Sequence, residues 1–295
     1  MSAIPAELAH RIVAIAEDRE SGASALLGRA ITVLADGLAA GIPIRPIARE
    51  ICRAQPSMAS MWNAALEAIA AEHSPARFDR FASRIARAAA ATARVGVEHL
   101  AGPDETGPLR VVTMSQSGSV AAVLEAVYQR RPLQVSCSEG RPALEGRRMA
   151  THLAQRGIAV TFYTDAAVGH ALECADLVLV GADAISPDWF LNKSGTRMLA
   201  AAASVRGLPV YVVASRDKFV PKPIAERLTV REGAPQEIWD APPEGITVRN
   251  PYFETTPLDV LTSVITDAGV IGAAMIDDVC RSTHDAALLE ALKDL

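Results

Sequence analysis

Residues 177–196 read LVLVGADAISPDWFLNKSGT, and this stretch decides the fold because it joins a buried strand to a polar turn. Its first four residues are apolar and mostly β-branched, which predicts a strand within a parallel sheet. The strand brings Gly181 and the carboxylate of Asp183 to its end, and residues 192–196 follow at a predicted helix start. A helix N-terminus and Lys193 suit a phosphate, while Asp183 can accept a hydroxyl proton. The alternative is a loop-capping aspartate beside a solvated lysine.

Working outward from this stretch, short β runs alternate with helix-prone, alanine-rich segments. The predicted strands are residues 109–114, 133–138, 159–163, 177–180 and 209–214. The predicted helices between them are residues 119–130, 143–156, 166–174 and 193–206. Such alternation predicts parallel βαβ units with right-handed crossovers. The fold class is therefore α/β, with a largely parallel sheet covered on both faces.

The first hundred residues predict a separate helical domain. Apolar positions recur at three-to-four spacing in residues 5–17, 24–39, 58–71 and 76–99, with turns at residues 42–46 and 55–57. A stretch rich in Gly, Pro and acidic residues at 102–108 marks the boundary. We therefore expect a helical domain at residues 1–104 and an α/β domain at residues 105–295, which the resemblance described below identifies as Rossmann-like. The tail predicts a helical region over residues 256–280 and a last short helix over residues 282–295.

Polar turns follow every predicted strand. In open parallel sheets the ligand lies outside the carboxyl ends of the strands, where the strand order reverses. The turns to inspect are residues 115–119, 136–142, 164–165, 183 and 215–218. Each turn alone is equally well explained as a helix cap, because Ser, Thr and Asp are favoured there. Asp165 in particular is either a second site carboxylate or an N-cap. Five such turns on one edge favour a binding site.

Composition excludes several functional classes. The chain has 295 residues, of which 50% are hydrophobic and 21% charged, and its net charge is −5. The acidic balance argues against a nucleic-acid-binding surface. No apolar run is long enough to span a membrane and no signal peptide is recognisable, so we expect a cytoplasmic protein. Its four cysteines form no C-x-x-C pair, and no metal site or cofactor is predicted. A Rossmann dehydrogenase is disfavoured because no G-x-G-x-x-G follows the first strand.

Four motifs together resemble a known family. They are Gly181-Ala182-Asp183 with Asn192-Lys193-Ser194-Gly195-Thr196, Glu139-Gly140-Arg141-Pro142 with Glu145-Gly146, Ser21-Gly22-Ala23-Ser24, and Asn250 to Pro257. In this order they resemble the alpha, beta and delta regulatory subunits of translation initiation factor 2B, a superfamily that includes methylthioribose-1-phosphate isomerase and ribose-1,5-bisphosphate isomerase. The resemblance runs from about residue 19 to 270. It implies a helical domain and a Rossmann-like domain with a sugar phosphate between them, and a homodimer.

The resemblance also implies roles for individual residues. In the isomerases a cysteine after the first strand and the aspartate of the Gly-Ala-Asp motif assist an aldose-to-ketose rearrangement. Asp183 is present, but the cysteine's position holds Ser115, and a serine hydroxyl needs an activating base. The implied substrate-binding residues are Ser21, Gly22, Ala23, Gln116, Ser117, Gly118, Ser119, Arg141, Asn192 and Lys193.

Two further departures from the isomerases concern phosphate binding, and one cysteine elsewhere in the chain is a candidate to replace the missing thiol. Positions that carry phosphate-clamping arginines in the isomerases hold Ser21 and Gln55, which removes bidentate recognition unless Arg19, Arg53 or Arg141 compensates. Cys137, near the end of the second predicted strand, is the candidate replacement for the thiol. The alternative is that Cys137 is a small, buried, hydrophobic side chain with no catalytic role.

Two functional hypotheses remain open. The first is a sugar-phosphate isomerase with altered machinery, in which Asp183 acts as acid and base and Ser115 or Cys137 is the weaker second group. The second is a non-catalytic regulatory or sensor subunit, like those of initiation factor 2B, whose pocket binds a phosphorylated sugar or nucleotide-derived ligand. The family does not settle which one holds, because function depends on the site.

Overall fold

The computed structural model describes residues 4–102, 107–230 and 232–295. Within those ranges no helix is both long and apolar enough to cross a membrane. The predicted domain boundary between residues 104 and 105 falls outside the described residues, so the division into two domains stays a prediction.

Over residues 4–102 the structure describes the α-helices α1 (Ala6–Glu17), α2 (Ala23–Ala39), α3 (Ile44–Ala54), α4 (Ala59–Ala70) and α5 (Pro75–Leu100). Helix α3 was not predicted, because Pro43 and Pro46 indicated only a turn. Proline is tolerated in the first helical turn, where backbone N–H groups have no helical partner. Ile44, Ile47 and Ile51 then recur at helical spacing and are fully buried. Helix α4 lies at the centre of this helical core, and its small alanines allow close approach of its neighbours.

The rest of the chain forms two sheets. Among the described residues the strands are β1 (Leu109–Thr113), β2 (Leu133–Ser138), β3 (Ala159–Tyr163), β4 (Leu177–Gly181), β5 (Ala184–Ile185), β6 (Trp189–Lys193), β7 (Val210–Val213), β8 (Phe253–Pro257), β9 (Ser263–Thr266) and β10 (Gly269–Gly272). The main sheet has the order β10-β9-β7-β4-β1-β2-β3 and is parallel except for the β9–β10 hairpin. A second sheet, β5-β6-β8, is antiparallel.

Helices cover both faces of the main sheet, as predicted. The connecting helices are α6 (Gly118–Tyr128), α7 (Glu145–Gln155), α8 (Thr196–Val205), the single turn α9 (Lys222–Ala225), α10 (Ile276–Ser282) and α11 (Ala286–Ala291). Alternate strand residues enter separate apolar clusters: Val112 and Val180 lie in one, Val111 and Leu179 in the other. The long helix α5 packs on α6, where Gly96 leaves no room for a side chain against Val123. The predicted α/β class with N-terminal helices is confirmed.

Three predictions of secondary structure were wrong. Residues 166–174 were expected to form an α-helix, but Asp165–Glu173 is a 3₁₀ helix. Residues 193–206 were read as one helix, but residue 193 ends β6 and the helix begins at Thr196. The tail at 256–280 was expected to be helical, but β8, β9 and β10 lie there before α10. The β-branched run of β9 pairs with β7, and Gly269 turns the hairpin with a φ of +134°.

The strand order fixes where a ligand can bind. From β1 the chain proceeds outward through β2 and β3, and then returns to place β4 on the other side of β1. The carboxyl ends of β1 and β4 therefore flank the point at which the order reverses. In open α/β sheets this crevice is the expected ligand site.

Candidate functional site

The turn after β1 and the end of β4 meet at this crevice. Gly181 ends β4, and a Cβ added there would lie 2.8 Å from Ser117 Oγ and 3.9 Å from Asn192 Oδ1. Only a glycine permits this approach. The structure thus brings Ser117, Asn192 and the start of the Asp183 turn together, as the strand-end argument predicted.

The N-terminus of α6 is open to solvent. Ser117 caps the helix by accepting a hydrogen bond from the Val120 N–H at 3.3 Å, and Gly118 is exposed. Ser115 has a φ of 60°, a left-handed conformation that is uncommon for a residue with a side chain and that shapes the turn. Gln116 is also exposed and accepts a hydrogen bond from Arg148 Nε at 2.7 Å. Backbone N–H groups at an open helix start can bind an anion.

Asp183 is partly buried and held by backbone contacts. Its N–H donates to the carbonyl of Leu191 at 2.8 Å, and its carbonyl accepts from the N–H of Ala59, the first residue of α4, at 3.1 Å. Burial raises the pKa of the Asp183 carboxyl, and the positive charge of Lys218 opposes that rise. The ammonium of Lys218 donates to the Ala182 carbonyl. The proton affinity of this carboxyl is therefore raised at a position beside the crevice, which suits an acid–base group.

Lys193 lies in β6 and is buried, with 2% of its side chain exposed. Its Nζ donates to Glu145 Oε1 at 3.0 Å and lies 4.4 Å from the centre of the Tyr252 ring. The other oxygen of Glu145, Oε2, is buried and lacks a hydrogen-bond partner within the described part of the chain. Sequence reasoning missed Tyr252 as a partner, although it lies in one of the family motifs. The register of β6 with β8 pairs Lys193 with Phe253, and this pairing places the neighbouring Tyr252 beside Lys193.

The N-terminus of α8, which the sequence offered as a phosphate site, is already occupied. The carboxylate Oε1 of Glu254 accepts hydrogen bonds from the N–H groups of Gly195 at 2.7 Å and Arg197 at 3.0 Å. Asn192 donates its amide to Thr196 Oγ1 at 3.0 Å, inside this same turn. A carboxylate at a helix start uses the same donors that a phosphate would need. Glu254 was also missed, because its role depends on the pairing of β6 with β8.

The loop before α2 contains the predicted residues Ser21, Gly22 and Ala23. Asp18 accepts the Ser21 N–H at 2.7 Å, and this bond together with Arg29 lowers the pKa of Asp18. Gly22 is the exposed N-cap of α2, and no side chain caps that helix. The charge of Arg19 acts to lower the pKa of Tyr252, although burial and the Glu237 hydrogen bond raise it overall. The positive charge of Arg19 therefore acts electrostatically on Tyr252, the residue that contacts Lys193.

The loop after β2 holds Arg141 at the surface. Asp165 accepts the N–H groups of Gly140 at 2.8 Å and Arg141 at 2.7 Å, so its carboxylate stabilises this loop. The guanidinium of Arg141 is exposed. Of the other proposed compensating residues, Arg53 pairs with Glu50 at 2.7 Å. Gln55 donates to the carbonyl of Ile15 at 2.9 Å.

Cys137 lies inside the sheet core. It belongs to the apolar cluster under α6 and has no exposed surface. Burial raises the pKa of its thiol to about 12, which disfavours the reactive thiolate. Ser115, by contrast, is partly exposed at the crevice. Among the described residues no cluster of three or more His, Cys, Asp or Glu could hold a metal ion.

Comparison with known proteins gives a consistent picture. The model of the Initiation factor 2 subunit family matches residues 2–273. The ribose 1,5-bisphosphate isomerase of Methanocaldococcus jannaschii is 34% identical over 55% of this chain and 54% of its own length. The methylthioribose-1-phosphate isomerase of Exiguobacterium sibiricum is 34% identical over 70% of this chain and 65% of its own length. The chain thus spans about half to two thirds of these relatives.

Among solved structures, the translation initiation factor eIF-2B of Pyrococcus horikoshii OT3 superposes with a TM-score of 0.76. The two are 24% identical, and the match covers 91% of this chain and 98% of the other. At that identity the likeness supports the fold alone.

Proposed function

The chain belongs to the Initiation factor 2 subunit family, and we propose that it binds a phosphorylated pentose at the β1–β4 crevice and interconverts its aldose and ketose forms. The observation that carries this proposal is the meeting of the open α6 N-terminus with the Asp183 turn where the strand order reverses. The α6 N-terminus provides backbone N–H donors for a phosphate, and the Asp183 turn provides a carboxyl with a raised pKa.

The phosphate is assigned to the first turn of α6. Gly118 is exposed there, and Ser117 has fixed the cap geometry. The α8 end is a poor alternative because Glu254 holds its N–H groups. A second anion would meet the negative charge of that carboxylate.

The sugar hydroxyls are assigned to Glu145 and Asn192. Glu145 Oε2 is buried and lacks a partner among the residues described, and a buried acceptor of this kind gains from a hydroxyl donor. Its other oxygen is fixed by Lys193. In this proposal Lys193 positions Glu145 and adds positive charge, while Asn192 Oδ1 faces the sugar near Gly181.

Asp183 is assigned the proton transfers. Conversion of an aldose 1-phosphate to its ketose moves one hydrogen with its electron pair from C2 to C1. It also takes a proton from the C2 hydroxyl, which becomes a carbonyl, and returns one to the ring oxygen, which leaves C1. A single carboxyl that accepts the first proton and donates the second balances the reaction. The raised pKa of Asp183 makes its carboxylate a better proton acceptor than that of a free aspartate.

A specific observation favours the second function, a non-catalytic sensor of phosphorylated sugars. The crevice holds Ser115 where the resemblance implies a thiol, and Cys137 is fully buried with a raised thiol pKa. A protein of this kind would bind the same ligands without converting them. Its ligand would stabilise the fold by mass action alone.

One experiment separates the two functions. The full chain is melted in the presence of ribose 1-phosphate, ribose 1,5-bisphosphate, methylthioribose 1-phosphate and AMP, and each stabilising compound is then followed by ¹³C NMR for appearance of a C2 carbonyl. For an isomerase, Asp183→Asn should lower turnover by about 10²- to 10⁴-fold. Asp188→Asn, an exposed carboxylate of the same segment, should leave it unchanged. Binding without conversion selects the sensor, and no stabilisation by any phosphosugar rejects both.

The homodimer implied by the resemblance is part of this proposal. Size-exclusion chromatography with light scattering should then give twice the chain mass of 31.1 kDa. A mass of one chain at micromolar concentration would contradict it.

A further inference from the structure

A second cavity lies away from the β1–β4 crevice. It has a volume of about 490 Å³ and lies between α4, α5, the turn after β7 and the β9–β10 hairpin. It shares no lining residue with the site around Asp183 and Ser117. Its size is within the range of small-molecule sites.

One wall of the cavity is a fixed polar network. The amide nitrogen of Asn63 donates to the carbonyls of Asp217 at 2.6 Å and Phe219 at 3.1 Å, so its Oδ1 must accept. The acceptor bond comes from His284 Nε2 at 2.7 Å, and His284 Nδ1 contacts the Thr283 hydroxyl at 3.0 Å. Burial lowers the pKa of His284 to about 4, so the ring is neutral. This wall offers no spare charge.

Two side chains of opposite charge line the same cavity, and each has a buried polar atom without a hydrogen-bond partner among the described residues. Asp217 is 2% exposed, and its Oδ1 is buried with no hydrogen-bond partner in the described ranges. Arg84 Nη1 is likewise buried and unpartnered there, while its guanidinium lies 5.2 Å from the centre of the Phe81 ring. Neither forms an ion pair with any residue that the structure describes. Asp217 is therefore a buried charge without an ion pair, whereas Arg84 is partly exposed with one buried nitrogen, and a ligand that carries both opposite charges can bind to both groups.

The remaining lining is largely apolar: Phe81, Ile271, Val279 and Leu288. A simple anion fits this cavity poorly, because Glu67 and the unpaired Asp217 also line it. The third cation, Arg216, forms an ion pair with Asp267 at 3.5 Å, although its Nε has no hydrogen-bond partner among the described residues. We propose that the cavity binds a free α-amino acid with an apolar side chain, its carboxylate on Arg84, its ammonium on Asp217 and its side chain on the apolar wall.

The proposal is tested by calorimetric titration of the full chain with L-leucine, L-valine, L-methionine and L-phenylalanine. At least one should bind saturably. If L-leucine binds, it is compared with 4-methylpentanoate, which lacks the ammonium, and with leucinamide, which lacks the carboxylate. Each analogue should bind at least tenfold more weakly than L-leucine. If another of the four amino acids binds instead, it is compared with its own analogues that lack the ammonium or the carboxylate. Asp217→Asn and Arg84→Gln should each lower the affinity for the amino acid that binds at least tenfold. Arg80→Gln, an exposed arginine of the same helix, should change it less than twofold.

A second measurement uses the wild-type protein, so it does not depend on the folding of a variant. The His284 ring signals should shift in the NMR spectrum on addition of the binding amino acid and not on addition of inorganic phosphate. The proposal is overturned if no amino acid of the four binds, if the analogue without the ammonium binds equally well, or if the His284 signals do not move.

Discussion

Three helices begin at the carboxyl edge of the main sheet, and their N-termini differ in one respect. The start of α6 is open, because it faces solvent. The starts of α7 and α8 are closed, because their N–H groups already donate to backbone carbonyls at α7 and to a carboxylate at α8. Leu144 and Gly146 donate to carbonyls of the loop after β2, and Glu254 accepts the N–H groups at the start of α8. All three ends carry the same partial positive charge. What distinguishes a binding end is therefore whether its donors remain available, and only α6 among these three meets that condition.

The largest expected effect concerns the closed α7 end. A Cβ at Gly146 would lie 1.8 Å from the carbonyl oxygen of Ser138, so Gly146→Ala must push the helix off β2. We expect a loss of more than about 4 kcal/mol in the free energy of unfolding. Gly28→Ala is the control, because an added methyl in this exposed turn of α2 meets none of the described atoms within 4 Å. It should stabilise by up to about 1 kcal/mol. Urea denaturation measures both, and a small loss at Gly146 would mean that the α7 end opens easily.

The next effect concerns the lysine beside the closed α8 end. Lys193→Met leaves Glu145 as a poorly exposed carboxylate without its cation, since 16% of that side chain is exposed. We expect a loss of about 3 kcal/mol. Lys293→Met removes an exposed pair with Glu290 and should cost less than about 0.5 kcal/mol. If the two variants unfold alike, Lys193 is not the structural partner of Glu145, and its charge is free for a ligand.

The open and closed ends also mark the limit of what the sequence predicts. Strands β2 and β3 were predicted at their true bounds, because their apolar residues lie between clear turns. The crevice could be predicted from the order of strands and helices. That the N-termini of α7 and α8 are closed could not be predicted from the sequence. Ser138 approaches Gly146 through tertiary packing, and Glu254 accepts a hydrogen bond from Gly195, 59 residues away in the chain. Lys193 was predicted to bind phosphate and hydroxyls, and its pairing with Glu145 could not be predicted for the same reason.

The wrong predictions have a related cause. Residues 256–280 contain apolar positions that fit a helical period, but β8 and β9 each pair with a distant strand. Pairing of this kind outweighs local propensity. The sequence therefore identifies the candidate residues Asp183 and Ser117, while it cannot show which neighbouring groups are already paired.

The third prediction concerns the contact between β4 and the open α6 end. Gly181→Ala places a methyl 2.8 Å from Ser117 Oγ and should displace the cap, at a cost of about 2 kcal/mol. Gly118→Ala, at the first residue of α6, is the matched control for stability, since its added methyl meets nothing described within 4 Å. It should fold as the wild type does. Thermal unfolding with and without ribose 1,5-bisphosphate measures both stability and binding. Equal stability of the two variants would show that the cap does not depend on this contact.

The smallest effects test the comparison most directly, because they alter one helix end each and leave the other intact. Ser117→Ala removes the α6 cap and should cost about 1 kcal/mol, with a severalfold loss of ribose 1,5-bisphosphate affinity. Glu254→Gln keeps an acceptor for Gly195 and Arg197 but removes the charge, and should cost about 0.5 kcal/mol. It should leave the affinity within twofold, because the ligand phosphate does not use α8. Calorimetric titration of both variants decides the point: a tighter ligand in Glu254→Gln would mean that α8 is a phosphate site held shut by its own carboxylate.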